Sequence, residues 1–244
     1  MKISQTMRRY AAEIYRLQQD HPYAPLSSVA EHVDASLQAV SRMVIRMEQA
    51  GLVTREPYRG MRLTPEGERE AMPALRRHRL TEVFLVKVMN FGWEEAHELT
   101  DHFERGIDET LEDRIDELTG RPTRCPHGEA IPSKDGVMPV VNDTALVNLQ
   151  PGEAGHISRV RTHDPDKLRY LAAEGLVPGT GFKVVGRAPF NGPLRVLVDS
   201  REYVLGPELS AWIWVERLDG EIDPSLCNRT GCPLPKATHL YLKK

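Results

Sequence analysis

The 244-residue sequence predicts a multi-domain α+β protein, with an N-terminal winged helix-turn-helix, a central helical region and a small C-terminal β-barrel. Three observations predict this order. A short helix, a tight turn and a longer helix precede an alternating hairpin that ends near residue 64. Helical stretches then extend to residue 118, and from Thr144 short apolar runs alternate with glycines and prolines.

The first predicted element is a helix over residues 3 to 19. The segment that follows, up to Pro25, ends this helix, because proline lacks a backbone N–H donor and restrains the residue before it. A short second helix is expected from about Ser28 to Val33. The run S27-S-V-A-E31 places a serine ahead of a glutamate at capping-box spacing, which predicts a serine cap for this helix.

A longer helix is predicted from Leu37 to Gln49, after D34-A-S36 caps its start. The run from Leu52 to Thr64 alternates around P-Y-R-G and predicts a two-stranded hairpin, or wing. A helix-turn-helix pattern alone also fits a helical bundle with no nucleic-acid partner, but the added wing favours duplex DNA binding. The side chains expected to face DNA are Ser36, Leu37, Gln38, Ser41 and Arg42 on the longer helix and Arg59 at the hairpin tip.

The central region is predicted to be helical. One helix opens at T64-P-E-G-E68, with threonine as N-cap and proline in the first turn, and extends toward Met89. N90-F-G-W93 breaks it, and residues 94 to 118 form a long helix or a helix pair.

A turn-rich coil over residues 121–131 and a linker over 133–143 lead into the β-rich region. One helix is expected there, near Asp166 to Glu174, and the tail after Asp219 shows no interpretable pattern. The predicted strands are A145-L-V-N-L, H156-I-S-R-V, F182-K-V-V-G, L194-R-V-L-V-D, R201-E-Y-V-L and W212-I-W-V-E.

Metal-competent side chains recur at helical spacing in the central region. His97, Asp101 and Glu104 stand at i, i+4 and i+7, which places them on one helix face. His78 and Glu82 lie one turn apart on the preceding helix. Two such helices could build a metal site between them.

Composition limits the possible classes of protein. The formal net charge is −3, yet basic residues recur in the first 62 residues while Asp and Glu dominate from Glu94 to Glu117. No stretch approaches the roughly 20 apolar residues that span a bilayer, and the N-terminus lacks a secretory apolar core. The 3 cysteines do not make a disulfide framework. A cytoplasmic protein is therefore expected.

Taken together, these motifs resemble the diphtheria toxin repressor family of metal-dependent transcriptional regulators, up to about residue 218. The β-rich region looks like the SH3-like fold of ferrous-iron transport accessory proteins. The motifs that carry the resemblance are E48-Q-A-G-L-V53, L63-T-P-E-G67, R77-H-R-L-T-E82, H97-E-L-T-D-H-F-E104, C125-P-H-G-E-A-I131, L149-Q-P-G-E-A-G-H-I157, L171-A-A-E-G-L-V-P-G179 and N191-G-P193.

The resemblance implies a set of domains. They are a winged helix-turn-helix DNA-binding domain over 1–72, a helical dimerisation and metal-binding domain over 73–132, a linker over 133–143, an SH3-like domain over 144–219, and a tail of unknown role over 220–244.

The resemblance also implies two divalent-metal sites. The first maps to His78, Glu82 and His97. Further ligands are expected from the SH3-like domain, where the matching positions are Asp164 and Lys167. A charged lysine cannot ligate, so Asp164 is expected, with His163 or Asp166 nearby.

The second site of the family maps to Asp101, Glu104 and Arg105, together with Arg9 of the first helix. A guanidinium has no available lone pair, so this site is either rebuilt or absent. Asp101 and Glu104 could bind a cation with other partners, or they could pair with the two arginines and imitate the metal-bound state.

The donor types leave the ion open among several divalent metals. Asp101 stands where iron-responsive relatives carry cysteine, and Y58-R-G60 resembles the manganese-responsive branch, so Mn(II) is favoured and Fe(II) comes next. Cys125-Pro126-His127 is interpreted as a structural turn rather than a ligand pair. Cys227 and Cys232 lack a second paired motif, so a zinc ribbon is not supported.

The function that these features predict is metal-dependent repression of metal-homeostasis genes by a homodimer on a near-palindromic operator. A metal-binding adaptor protein is an alternative. A metal-dependent hydrolase is a weaker one, because no zincin spacing, nucleophile elbow or phosphate loop is present.

Overall fold

The computed structural model describes residues 3–218 and divides into two compact units. Among these residues, the first unit contains 3–78 and 131–139, and the second contains 79–130 and 140–218. The predicted tail over 220–244, with Cys227 and Cys232, lies outside the described residues.

Three helices open the first unit: α1 (Gln5–Gln18), α2 (Leu26–His32) and α3 (Leu37–Gln49). The Ser36 hydroxyl caps α3 by accepting a hydrogen bond from the backbone N–H of Ala39, at 3.3 Å. The predicted serine cap of α2 is wrong. This helix begins directly after Pro25, which serves as its N-cap without a side-chain hydrogen bond. The fixed φ of proline already sets the extended entry, so the helix starts before the serines.

The predicted wing is confirmed as an antiparallel hairpin of β1 (Val53–Glu56) and β2 (Gly60–Leu63). Ala24 and Met61 exchange two backbone hydrogen bonds, of 2.7 and 2.9 Å, which attach the hairpin to the segment before α2. Gly60 permits this approach, since a Cβ there would lie 2.2 Å from the Ala24 carbonyl oxygen.

Helix α4 (Pro65–Lys87) follows the wing. Thr64 caps it by accepting a hydrogen bond from the Gly67 N–H at 3.1 Å. The first turn of α4 lies against the wing's base, the backbone at Leu52 just before β1. Gly67 permits this close approach, because a Cβ there would be 2.0 Å from the Leu52 carbonyl oxygen.

The region from 94 to 118 is a helix pair in the second unit. Helix α5 (Trp93–Phe103) passes into a 3-10 turn over Glu104–Gly106, and α6 (Glu109–Leu118) follows. The Asp108 carboxylate caps α6 by accepting from the Leu111 N–H at 2.9 Å. Glu104 therefore lies just beyond the last residue of α5.

The described residues from 144 onward form a small β domain. Its elements are β3 (Thr144–Ala145), β4 (Ala154–Val160), α7 (Pro165–Ala173), β5 (Gly181–Arg187), β6 (Leu194–Val198), β7 (Arg201–Leu205), α8 (Pro207–Trp212) and β8 (Ile213–Arg217). The strands are antiparallel, in the order β3-β8-β4-β5-β6-β7. The sequence did not predict α8. Residues 146–148 form a 3-10 turn where a strand was expected.

The β domain and the central helices share one apolar core. Val86 of α4 and Trp93 and Ala96 of α5 belong to the same buried cluster as the strand residues. Helix α5 also packs against α7. None of the helices within residues 3–218 has the length and apolar character needed to cross a membrane.

Candidate metal centre and nucleic-acid interface

The centre of the candidate metal site is Glu82 on α4. Its side chain is 2% exposed, and Oε1 lies 3.1 Å from Nδ1 of His97 on α5. His78 precedes Glu82 by one helical turn, and the continuous helix sets their relative position. One potential ligand atom from each of these three residues lies within 4.8 Å of the others. The structure thus brings together the three residues predicted for the first site.

Cys125 and His127, which were expected only in a structural turn, also lie beside Glu82. Cys125, His127 and Glu82 are all buried, and their potential ligand atoms also lie within 4.8 Å of one another. The segment is a turn, as predicted, with the Cys125 N–H donating to the Glu129 carbonyl at 2.9 Å. Both side chains nevertheless carry atoms that can bind a metal, and this chemistry was the feature of the sequence that could have marked them as site residues.

The orientation of His127 follows from its hydrogen bond. Its Nε2 lies 2.9 Å from the Trp93 carbonyl oxygen, which can only accept, so Nε2 carries the proton. The other ring nitrogen, Nδ1, faces Oε2 of Glu82 at 3.6 Å and Sγ of Cys125 at 3.9 Å. A histidine whose second nitrogen is held by a carbonyl is typical of metal ligands.

Burial raises the pKa of the Cys125 thiol well above its usual value, and the negative charge of Glu82 raises it further. The thiol therefore keeps its proton when no cation is near. A bound ion would have to displace that proton to gain a thiolate ligand.

The β domain contributes a fourth histidine, His163, in addition to His78, His97 and His127. The ring of His163 stacks on His97 with centroids 3.8 Å apart, and meets His127 edge-on at 5.2 Å. Asp164, the favoured ligand from the sequence, is instead the N-cap of α7. Asp166 is exposed and pairs with Arg169 at 2.6 Å. Ligation by any of the three remains a prediction.

The N-cap role of Asp164 changes the pKa of its carboxyl group. Its carboxylate accepts hydrogen bonds from the backbone N–H groups of Lys167 and Asp166, and these bonds lower its pKa. The same oxygen therefore stabilises the first turn of α7.

Asp101 and Glu104 form a separate group with His78, again with potential ligand atoms within 4.8 Å. His97, Asp101 and Glu104 therefore do not form one group, since His97 lies beside Glu82. Arg105 lies exposed in the 3-10 turn after α5, and Arg9 is on α1 of the first unit.

The accessible face of α3 carries the predicted DNA contacts. Val40, Val44 and Met47 are buried, whereas Leu37 is 54% exposed. Gln38 and Arg42 are exposed and Ser41 is half-buried on the same helix. The Ser36 hydroxyl is engaged as the helix cap.

The wing lies beside this helix. Nη2 of Arg55 on β1 pairs with Glu48 of α3 at 2.6 Å, and the hydrogen bond to Glu48 raises the pKa of Arg55. The Arg59 guanidinium lies 5.6 Å from the centre of the Tyr23 ring.

Three family models match consecutive parts of the chain. Residues 2–61 match the N-terminal DNA-binding domain of iron-dependent repressors, and residues 64–133 match their metal-binding and dimerisation domain. Residues 144–217 match the FeoA domain.

Individual relatives cover almost the same part of the chain. The iron-dependent repressor IdeR of Mycobacterium tuberculosis (strain ATCC 25618 / H37Rv) is 30% identical over 226 residues, which is 87% of this chain and 97% of that protein. The diphtheria toxin repressor of Corynebacterium glutamicum is 32% identical over 228 residues, covering 88% and 97%. A solved manganese-dependent transcriptional repressor in complex with manganese has a TM-score of 0.79 and 31% identity, covering 87% and 100%.

Proposed function

Because this chain belongs to the iron-dependent repressor family, we propose that a divalent ion held by α4 and α5 controls its binding to DNA. Members of this family are metal-dependent, DNA-binding transcriptional repressors and not enzymes. The observation that carries the proposal is the buried Glu82 carboxylate, with imidazoles of His97 and His127 and the Cys125 thiol around it. A buried carboxylate needs a compensating partner, which the His97 imidazole supplies without an ion and which a bound cation would supply in its place.

The donor chemistry supports a transition metal. Imidazole and carboxylate together suit Mn(II) and Fe(II), whereas Ca(II) and Mg(II) prefer oxygen ligands alone. We propose that Glu82 and His97 hold the ion, with His78 or the Cys125 and His127 pair completing the set. Mn(II) is favoured for the combination with His78, which contains no sulfur, and the Cys125 thiol would move the preference toward Fe(II).

A second cation position is proposed at Asp101 and Glu104. These carboxylates stand with His78, so this histidine can supply the nitrogen donor that Arg105 and Arg9 cannot. Two carboxylates and one imidazole would favour a harder ion such as Mn(II).

We further propose that the ion acts by linkage in a homodimer. A dimerisation domain matches this part of the chain. Large apolar side chains remain exposed there, as expected of a surface that a second copy covers. They are Val88, Met89, Phe103, Leu111 and Leu118.

The DNA target of such a dimer would be a near-palindromic operator of metal-homeostasis genes, read by the two α3 helices one duplex turn apart. The contacts proposed on each copy are those predicted from the sequence: Ser36, Leu37, Gln38, Ser41, Arg42 and Arg59. The exposed face of α3 supports this assignment.

Fluorescence anisotropy on duplex DNA from upstream of metal-uptake genes tests the proposal. Salt is held fixed, because phosphate contacts dominate affinity. Tight binding is expected with Mn(II), or with Fe(II) under anaerobic conditions, and should be lost with chelator and in the His78→Ala variant. Equal binding of the wild type with chelator and with metal would refute metal control.

A further inference from the structure

The tip of the wing holds a tyrosine in a backbone conformation that bulky residues rarely adopt. Residues 57–59 connect the strands, and the Arg59 N–H donates to the Glu56 carbonyl at 3.1 Å, closing a turn. Tyr58, the second central residue of this turn, has φ of 64°. Glycine or asparagine is the usual residue at such a position, because a side chain there strains the backbone.

The Tyr58 side chain gains nothing from the fold in return. It is 109% exposed, so the ring is held clear of the rest of the protein. Burial stabilises an aromatic ring in a folded protein, but the Tyr58 ring is not buried. The strained backbone therefore opposes folding, and the exposed ring contributes no burial to offset that cost, which indicates a role in binding.

The wing beneath the ring is fixed in place. The Ala24 and Met61 hydrogen bonds fasten β2, and the Arg55 ion pair with Glu48 joins β1 to α3. Arg59 lies over the ring of Tyr23. The tyrosine is thus presented at a defined position beside the DNA-facing helix, with the neighbouring arginine directed at another side chain.

We propose that Tyr58 is a DNA-contacting residue of the wing. Its ring packs on deoxyribose beside the major groove that α3 enters, and its hydroxyl donates to a phosphate oxygen. Tyrosine suits this place because it combines an apolar body with a polar end. The inference rests on the DNA-binding function, and it adds a contact to the six residues predicted from the sequence.

The test separates strain from recognition. Tyr58→Gly removes the ring and also relieves the positive φ. We expect it to weaken binding of the Mn(II)-loaded full chain by about tenfold, on a duplex that the wild type selects from a random-sequence library. Its melting temperature should be equal to or above that of the wild type.

Phe190 provides a matched control. It has φ of 59° and is 102% exposed, in the turn between β5 and β6 of the other unit. Phe190→Gly should likewise keep or raise the melting temperature, but leave DNA affinity unchanged. Tyr58→Phe should retain most of the affinity, since the ring is kept.

The outcomes distinguish this inference from the proposed function. If the wild type binds the selected duplex only with metal, while Tyr58→Gly binds it within twofold of wild type, the role of Tyr58 is refuted and the repressor function stands. If no duplex is selected in the presence of metal, the proposed function itself fails.

Discussion

Oε1 of Glu82 lies 3.1 Å from Nδ1 of His97, and the pair joins α4 to α5 at a position where the carboxylate is almost completely buried. Without an ion, the imidazole N–H donates to the carboxylate and satisfies it. With an ion, both groups can turn their lone pairs toward the metal. The same contact therefore supports the helix pair in the absence of an ion and provides ligands in its presence.

Replacing Glu82 with glutamine should cut metal affinity by about a hundredfold or more, because the amide keeps the shape but removes the charge that compensates the cation. Isothermal titration with Mn(II) measures this. Glu98→Gln is the control, since Glu98 is an exposed carboxylate on α5. Wild-type Mn(II) affinity in the Glu82 variant would contradict the proposed site.

Replacing Cys125 with serine should weaken Co(II) and Zn(II) binding more than Mn(II) binding, because only the softer ions gain strongly from a thiolate. The Co(II)-loaded chain should show a thiolate-to-cobalt charge-transfer band that the variant loses. Both proteins are compared with Cys227 and Cys232 replaced by serine, so that the band reports on Cys125 alone. A band that survives in the variant would exclude Cys125 as the source.

Replacing Gly67 with alanine should destabilise the protein, although alanine ordinarily stabilises a helix interior by about 1 kcal/mol relative to glycine. The new Cβ would lie 2.0 Å from the Leu52 carbonyl oxygen, so the backbone must shift. We expect a net loss of about 1–3 kcal/mol, the usual range for overpacking. Chemical denaturation followed by circular dichroism measures it.

Gly106→Ala serves as the comparison for that experiment, because a Cβ there meets nothing within 4 Å. Its denaturation midpoint should remain near that of the wild type. A Gly67 variant as stable as the Gly106 variant would show that the contact between α4 and the wing's base can relax.

Gln38→Ala and Arg42→Ala should weaken DNA binding in different ways. If Gln38 contacts a base edge, its loss should cost about 1–3 kcal/mol and relax the preference at one base pair. If Arg42 contacts a phosphate, its loss should weaken all sequences and reduce the slope of log affinity against log salt by about 1. Anisotropy titrations on the selected and a scrambled duplex, over a series of salt concentrations, separate the two effects.

Elements defined by local chemistry were predictable from the sequence. The Ser36 cap and the bounds of α3 were as expected, as was the wing, because caps and turn residues act within a few positions. One exception was α2, which begins after Pro25 and therefore before the serine expected to cap it.

The membership of the metal cluster was harder to predict, because it depends on contacts distant in sequence. Cys125 and His127 reach Glu82 through the fold of a turn, and no helical periodicity marks them. Asp164 illustrates the opposite case. The sequence Asp164-Pro165 is a local N-cap signal, and the carboxylate is in fact used to cap α7.

The ring of Trp93 stacks on His127, with centroids 5.7 Å apart and planes at 22°. Indole fluorescence is sensitive to such a neighbour, so an ion that binds His127 should change the emission of this tryptophan. Paramagnetic ions such as Mn(II) or Co(II) should quench it, whereas Zn(II) should mainly shift it. Trp93 is thus an intrinsic fluorescent probe of this site, and its emission should distinguish occupancy by different metals without an added label.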